Sequence, residues 1–251
     1  EGFRSLYEIV YKYSDGIIHL GEYSKKVIRE RYGEEVKGSF EKVIRHGNYN
    51  IFSNNISKKT ARKYLDIKST ENVFLCFGEI RHTEERDLLL KAFDKVNLPR
   101  KRLIIAGRLP EGSPLTWKYW SVRFPVHLRP KVTRYEGFIE PKRVQVFLNA
   151  ADSLVIPRLH ALNSGNVPLA MTFGRVVVGP NIGVIGEELH RTGNPSFNPN
   201  KPRTLTRAME DSIKLSTSDL PKENYLYSQN CMEWKKLSRM HLQLYKKCKV
   251  G

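Results

Sequence analysis

The chain has 251 residues, of which 43 are Lys or Arg and 26 are Asp or Glu, giving a formal net charge of +17 at pH 7. Hydrophobic residues make up 40% of it, more than a disordered chain contains and enough for one large core or two small ones. No apolar run approaches the roughly 18 residues of a membrane-spanning helix, so the composition argues against both a disordered tail and a membrane-spanning protein.

The hydrophobic pattern predicts strands and helices along the whole chain. Buried strands are expected at 73–77, 103–106, 153–156 and 176–178, with a weaker strand at 132–135 and two early strands at 16–20 and 42–45. Helices are expected at 24–32, 84–96, from Pro141, from Ser164 through Met171, at 202–216 and at 222–247. Thr83 is the expected N-cap of the helix at 84–96.

From residue 72 onward, short buried strands alternate with helices. Continuous apolar strands suit a parallel sheet that is covered on both faces. The sequence therefore predicts an α/β fold, a Rossmann-like doubly wound parallel sheet with right-handed crossovers. Such sheets bind ligands at the carboxyl ends of their strands, which directs attention to loops 78–83, 107–112, 157–165 and 179–186.

Two of these loops carry residue types that bind phosphate. Gly78 follows a strand and permits close backbone approach, and Arg81 could hold two phosphate oxygens. A plain turn with a solvated arginine explains this loop equally well. In the third loop, Arg158 stands near a helix start at which Asn163 or Ser164 can be the N-cap. Gly165 in the first turn would leave the amides uncovered, which favours an anion.

The fourth loop and the histidines give weaker signals. Three glycines in 179–186 fit either a ligand or a tight turn. His46 and His160 would titrate near neutrality, but a lone histidine is more often structural. No Ser/His/Asp order, Cys/His pair or acidic metal-binding cluster stands out, so no metal site is predicted.

The spacing of the cysteines indicates the cellular compartment, and the distribution of charge indicates the kind of partner. Cys76, Cys231 and Cys248 are widely spaced, which favours neither a disulfide framework nor a zinc site and predicts a reducing, cytoplasmic location. The most basic segment is 98–143, with 11 basic and 3 acidic residues. The basic residues are dispersed and form no recognition motif, so we expect no nucleic-acid partner. A solvated surface, a phosphate-rich ligand and an anionic membrane surface remain as interpretations.

The segments 57–93, AADSLVIP (150–157), Asn163-Ser164-Gly165 and FGRVVV (173–178) together resemble group 1 (family 4) glycosyltransferases. The resemblance covers nearly the whole chain. It implies the GT-B architecture of two Rossmann-like domains, of which this chain would supply the C-terminal, donor-binding one. Because the chain begins at Glu1 rather than Met, we expect it to be part of a longer enzyme.

The resemblance also implies domains and roles. Residues 1–56 would be a remnant of the N-terminal acceptor domain with its linker, 57–220 the nucleotide-sugar domain, and 221–251 a helix crossing back toward the N-terminal domain. Gly78 and Arg81 would meet the diphosphate, and Arg158, Asn163, Ser164 and Gly165 the sugar and distal phosphate. Leu169 and the residues around Val144 would lie near the nucleoside.

The expected function is transfer of a hexose, with retention, from a nucleotide-diphosphate sugar to a lipid-linked or polysaccharide acceptor. No cofactor is expected beyond that donor substrate, and the enzyme would be cytoplasmic, with possible peripheral contact at the anionic inner membrane. Three positions depart from the family pattern. Glu84, Ala161 and Leu169 stand where many relatives carry Lys, Glu and Glu, which motivates an alternative, a non-catalytic domain that binds a nucleotide or a partner.

Overall fold

The structure is a computed structural model that describes residues 2–110 and 131–248. Part of the predicted ligand loop at 107–112 and part of the basic segment 98–143 lie outside the described residues. The helices within these ranges are α1 (Gly2–Lys12), α2 (Glu22–Tyr32), α3 (Lys58–Tyr64), α4 (Thr83–Lys95), α5 (Pro141–Ala150), α6 (Asn166–Thr172), α7 (Gly183–Arg191), α8 (Thr204–Leu215), α9 (Leu220–Cys231) and α10 (Trp234–Cys248). The strands are β1 (Gly16–His19), β2 (Phe40–Val43), β3 (Asn72–Phe77), β4 (Lys101–Gly107), β5 (Lys131–Glu136), β6 (Ser153–Val155), β7 (Val176–Pro180) and β8 (Ser196–Phe197).

Six strands form one parallel sheet in the order β5-β4-β3-β6-β7-β8. The strand order runs outward in both directions from β3 and β6, which is the arrangement of a doubly wound sheet. Every strand predicted from the sequence is present, with shifts of at most two residues at the ends. The predicted α/β, doubly wound class is thereby confirmed.

Side chains of the central strand alternate between two cores. Val73 and Leu75 pack in the larger cluster, beneath α3, α5 and α6. Phe74 and Cys76 pack in the second cluster, beneath α4 and α8. Because both faces of β3 are buried, its sequence is continuously apolar and does not alternate with polar residues.

Asp152, in the AAD stretch, anchors the start of the sheet. It is buried and accepts hydrogen bonds from the Arg62 guanidinium at 2.8 Å and from the N–H of Val73 at 2.7 Å. Lys58 pairs with its other oxygen, and Arg62 also donates to the carbonyl of Ala150 at 3.0 Å. This carboxylate therefore joins α3 to the beginnings of β3 and β6.

The structure corrects two predicted helix boundaries. Thr83 is the first helical residue of α4, and the N-cap position belongs to His82. The single helix predicted at 222–247 is two helices, because the chain leaves helical geometry at Met232, which is buried and whose carbonyl accepts from the N–H of Asn48 at 2.8 Å. Among the elements that the structure describes, α1, α3, α7 and β8 were not predicted.

The first two strands form a separate parallel pair that rests on later helices. α10 packs on β1 and β2, and Lys42 bonds Gln243 at 3.0 Å. α2 packs on α7, where the Glu187 carboxylate accepts from the N–H of Tyr23 at 3.0 Å. Leu237 is buried on the predicted stripe of α10 whereas Tyr245 is half exposed, because a two-stranded sheet covers little of the helix. The predicted domain boundaries remain a prediction.

His19 gives this N-terminal pair a pH dependence. It is 3% exposed and its Nε2–H donates to Glu41 at 2.9 Å, and burial lowers its pKa below 6.5 even though Glu41 opposes the shift. The unfolded chain therefore binds more protons, so stability is full above about pH 6.5 and is lost as the pH falls toward the lowered pKa. Thermal unfolding followed from pH 7.5 to 5 should show this loss, and His19→Gln should flatten it. The same loss in His19→Gln, with no difference from an exposed-site control, His190→Gln, would contradict the assignment.

Candidate functional site

A cleft of about 360 Å³ opens at the carboxyl ends of β3, β4 and β5. This is the edge of the sheet at which α/β folds bind ligands, and the volume lies in the usual range of small-molecule sites. Its lining comes from strand ends, from the start of α5 and from the segment before α3: Phe52, Phe77, Gly78, Glu79, Gly107, Arg108, Gly137, Phe138, Ile139, Pro141 and Val144.

Three glycines with positive φ form the floor of the cleft: Gly78 at +87°, Gly107 at +143° and Gly137 at +103°. A Cβ on Gly107 would stand 1.7 Å from the carbonyl oxygen of Gly78. The two backbones are this close because the ladder continues past the strands, with Gly78 N–H donating to Ala106 at 2.8 Å and Gly137 N–H to Gly107 at 3.1 Å. Around Gly78 and Gly137 a Cβ would meet no atom closer than 3.9 Å, so a ligand can approach the backbone there.

Two side chains of the cleft, Phe138 and Arg108, were not predicted from the sequence. Phe138 is 77% exposed at the mouth of the cleft although it is a large apolar side chain. Arg108 is exposed and lines the same cleft, while its carbonyl holds the N–H of Ile80 at 3.0 Å. Both could have been found from the sequence, because each directly follows a glycine at a strand end: Arg108 follows Gly107 at the end of β4, and Phe138 follows Gly137 just after β5.

The first predicted loop contributes Gly78 to the cleft but not Arg81. Arg81 is exposed at the start of α4 and is not among the lining residues. Its N–H donates to the carboxylate of Glu85 at 3.2 Å. Glu85 of the first turn therefore holds the backbone of this loop, one residue before the N-cap of α4.

Arg158 is already engaged by protein groups. One terminal nitrogen donates to Glu85 at 2.7 Å and the other to the carbonyl of Glu79 at 2.7 Å. Glu85 is 2% exposed, so this is a nearly buried ion pair. Asn166 adds a bond to the carbonyl of Phe77 at 2.7 Å. Together these contacts hold the loop at 157–166 against the end of β3.

Asn163, Ser164 and Gly165 stand before α6, with Gly165 at the N-cap and not in the first turn as predicted. A Cβ on Gly165 would stand 2.5 Å from the hydroxyl of Tyr49, so a glycine is required for packing. The hydroxyl of Ser164 accepts from the N–H of Asn166 at 3.3 Å. Within the described residues the N–H groups of Ser164 and Gly165 have no acceptor, but α6 has only seven residues and a correspondingly short dipole.

A small cavity of about 30 Å³ lies beside this helix start, lined in part by Arg45, His46, Ser164 and Glu188. Glu188 is buried, and it accepts from Arg45 at 2.9 Å and from the hydroxyl of Tyr227 at 2.8 Å. Burial, followed by the Glu188 charge, raises the pKa of Tyr227 well above its ordinary value. The cluster ties the segment after β2 to α7 and α9.

Other predicted positions fall outside the cleft. Leu169 is 4% exposed in the core, whereas Val144 does line the cleft. Gly183 has φ +61°, and a Cβ added to it would stand 2.5 Å from the carbonyl oxygen of Leu162 and 2.6 Å from that of Ala161. This glycine after β7 is therefore needed for packing against loop 157–165. His160 is exposed. His46 donates from Nδ1 to the carbonyl of Gly47 at 2.7 Å and has a structural contact.

Among residues 2–110 and 131–248, no group of three or more His, Cys, Asp and Glu side chains is placed to hold a metal ion.

Comparison with known proteins bears on the fold and on the family of the chain. No curated protein sequence matches the chain. Similar solved structures include sucrose-phosphate synthase from Thermosynechococcus elongatus (TM-score 0.74, 18% identity, 98% of this chain and 61% of that one) and Anabaena HepE in complex with UDP-glucose (TM-score 0.73, 13% identity, 99% and 67%). WaaG, a glycosyltransferase involved in lipopolysaccharide biosynthesis, is also similar (TM-score 0.64, 14% identity, 89% and 60%).

At these identities the structures establish a shared fold, that of GT-B glycosyltransferases. The chain spans 61% of the length of the sucrose-phosphate synthase chain. The family described as "Glycosyl transferases group 1" matches residues 71–214, which is more than half of the sequence and contains β3 to β8. This chain therefore belongs to the group 1 glycosyltransferases.

Proposed function

We propose that the chain is the donor-binding part of an enzyme that transfers a hexose from a nucleotide-diphosphate sugar to a lipid-linked or polysaccharide acceptor. The observation that carries the proposal is the glycine-floored cleft at the carboxyl ends of β3, β4 and β5. Its volume of about 360 Å³ suits a nucleoside, and its position is that of the nucleotide in open α/β sheets. The bound state of Anabaena HepE, a protein of the same fold in complex with UDP-glucose, supports it.

The base would stack on Phe138, whose ring is largely uncovered. Ile139 and Val144 supply an apolar wall, and the backbone of Gly137 is open to approach. An exposed ring whose face meets water gains most when a flat aromatic ligand covers it. This arrangement explains why Phe138 stands uncovered next to a cleft.

The diphosphate would lie beside Gly78, where the absence of a Cβ leaves the backbone accessible. Arg108 lines the cleft and would supply positive charge to the diphosphate, and Arg81 stands three residues after Gly78 in the same loop. Amides near Ser164 and Gly165 would receive the distal phosphate or the sugar. Fixed donors of this kind stabilise the charge that grows on a leaving diphosphate, and in this proposal no cofactor takes part.

The acceptor and the location of the enzyme belong to the proposal as well. We place the enzyme in the cytoplasm, with the acceptor at or near an anionic membrane, since the net charge is +17. The involvement of WaaG in lipopolysaccharide biosynthesis supports an acceptor of this class. No helix among the described residues has the length and apolar character needed to cross a bilayer.

Titration of the protein with UDP, GDP and their sugar conjugates tests the donor site. We expect one nucleotide to raise the melting temperature, and Phe138→Ala to weaken its binding about 5- to 100-fold, the effect of losing one base stack of roughly 1–3 kcal/mol. Tyr64→Ala removes an equally exposed ring on α3, outside the cleft, and should change nothing. Equal affinities in the wild type and Phe138→Ala would refute the stacking assignment, and no response to any nucleotide would count against the donor site.

A second candidate is a non-catalytic domain that binds a nucleotide without turnover. It is favoured by one observation: Leu169, at the position where many relatives carry Glu, is buried in the core and offers a sugar no polar group. The two candidates differ in turnover by the complete protein. Saturable nucleotide binding without hydrolysis or transfer from any donor sugar would support the second.

A further inference from the structure

A second cleft, of about 320 Å³, lies between α4 and α8 and shares no lining residue with the donor cleft. α4 contributes one continuous face to it, α8 contributes its first residues, and the loop after β6 closes one end. The lining residues are Glu84, Asp87, Leu88, Lys91, Ala92, Lys95, Leu159, Pro202, Arg203 and Thr206.

Three cations converge on this cleft from two helices. Lys91 and Lys95 are one turn apart on α4, and Arg203 immediately precedes α8. All three are exposed, and within the part of the chain that the structure describes none of them forms an ion pair. Like charges one turn apart repel, so the grouping has an electrostatic cost that an anion would relieve.

Helix electrostatics accounts for Lys95, which stands in the last turn of α4 where the dipole favours a cation, but it does not account for Arg203. The last carbonyls of α4, which a basic residue could bind, are already held by Lys101, whose Nζ donates to Phe93, Asp94 and Val96 at 2.6–2.8 Å. Arg203 stands at the N-terminal end of α8, where the helix dipole disfavours a cation, and no acid occupies the first turn of that helix.

Two acids, Glu84 and Asp87, line the cleft together with the cations. Asp87 accepts from the guanidinium of Arg86 at 2.9 Å, and Glu84 accepts from the hydroxyl of Thr83 at 3.3 Å. Glu84 precedes Lys91 by seven residues, roughly 10 Å along the helix. Asp87 precedes Lys91 by only four residues, one turn.

Helices α4 and α8 run in the same direction, since Thr206 donates to the carbonyl of Ala92 at 3.4 Å and Glu210 accepts from the N–H of Asn97 at 2.7 Å, so Arg203 lies beside the part of α4 that precedes Ala92. The cations and the acids therefore share the cleft, whose lining carries three positive and two negative side chains.

We infer that this cleft binds a phosphate ester, with its phosphate among Lys91, Lys95 and Arg203. Lysine and arginine side chains together form typical phosphate sites. The floor beside the cations is apolar, formed by Leu88, Ala92 and other side chains, and the cleft is larger than a bare phosphate fills. The ligand is accordingly an organic phosphate, either free or as the headgroup of a lipid.

The inference is tested on the full chain with two probes: sn-glycerol 3-phosphate in calorimetry, and phosphatidylcholine vesicles with and without phosphatidic acid in sedimentation. The variant Lys91→Gln/Lys95→Gln/Arg203→Gln removes the three cations. The control Lys235→Gln/Lys236→Gln/Arg239→Gln removes equal charge from exposed positions of α10. Both are repeated in Arg81→Ala, in which phosphate binding at the proposed donor site is expected to weaken, so that binding at the two sites can be told apart.

We expect one probe to bind the wild type and to bind the cleft variant at least tenfold more weakly, with less than a twofold change in the control. Loss of glycerol phosphate binding identifies a free phosphate ester, and selective loss of binding to phosphatidic acid vesicles identifies a lipid headgroup. Equal losses in the two triple variants, or binding of neither probe by a folded wild type, would overturn the inference.

Discussion

Gly107→Ala is expected to lower the free energy of unfolding by about 2–6 kcal/mol. An alanine at φ +143° is strained, which costs roughly 1–3 kcal/mol. Its Cβ would also stand 1.7 Å from a backbone oxygen of Gly78, and relieving such overpacking costs about as much again. Because β3 and β4 are central strands that pair along six residues, the clash cannot be relieved without moving the sheet.

Denaturant unfolding of three alanine variants measures this effect. Gly78→Ala and Gly137→Ala have positive φ as well but no close neighbour, so each should lose only about 1–2 kcal/mol. Gly78→Ala should also weaken nucleotide binding, because the new methyl group enters the space proposed for the diphosphate. If Gly107→Ala were no less stable than Gly137→Ala, the close approach of the two loops would be wrong.

The fold was largely predictable from the sequence. Short continuous apolar runs such as Val73–Phe77, which recur between helical segments, predict strands covered on both faces. All of the runs predicted in this way after residue 72 are strands of the six-stranded sheet. The break at Met232 was not predictable, because the helical pattern continues through it and the interruption is caused by a contact with Asn48, far away in the sequence. Helix α7 was missed for a local reason, because the glycines at its start suggested a loop.

The candidate site was less predictable than the fold. The positions of the loops followed from the strand ends, and Gly78 is in the cleft. Which side chains are free to bind a ligand depends on partners that only the folded chain brings together. Phe138 and Arg108 are available and were missed, whereas Arg158 was predicted to be available and is bound to Glu85.

This difference separates two variants that the sequence alone treats alike. Arg81 is exposed, and among the described residues its side chain forms no hydrogen bond or ion pair, so Arg81→Ala should change stability by less than about 0.5 kcal/mol. If it contacts the diphosphate, binding of the matching nucleoside diphosphate should weaken about tenfold or more, as expected for a charged hydrogen bond of roughly 1.5–3 kcal/mol.

Arg158→Ala is expected to act on stability first. It leaves the carboxylate of Glu85, 2% exposed, without its ion-pair partner. Breaking a buried pair from one side costs about 3–5 kcal/mol, and because Arg158 keeps 14% of its side-chain surface exposed we expect about 2–3 kcal/mol. Glu85→Gln should restore part of this loss in the double variant, because a neutral amide is less costly to bury than an unpaired charge.

Binding data then decide what Arg158 does for the ligand. If Arg158 only holds loop 157–166 in place, its replacement should lower the affinities for a nucleoside and for the nucleoside diphosphate by the same factor. Both affinities are measured well below the melting temperature. If Arg158 contacts phosphate, its replacement should lower the affinity for the diphosphate at least tenfold more than the affinity for the nucleoside. The bonds of Arg158 to Glu85 and Glu79 occupy both terminal nitrogens. We therefore expect equal factors, and a selective loss of diphosphate affinity would show that this ion pair opens when the donor binds.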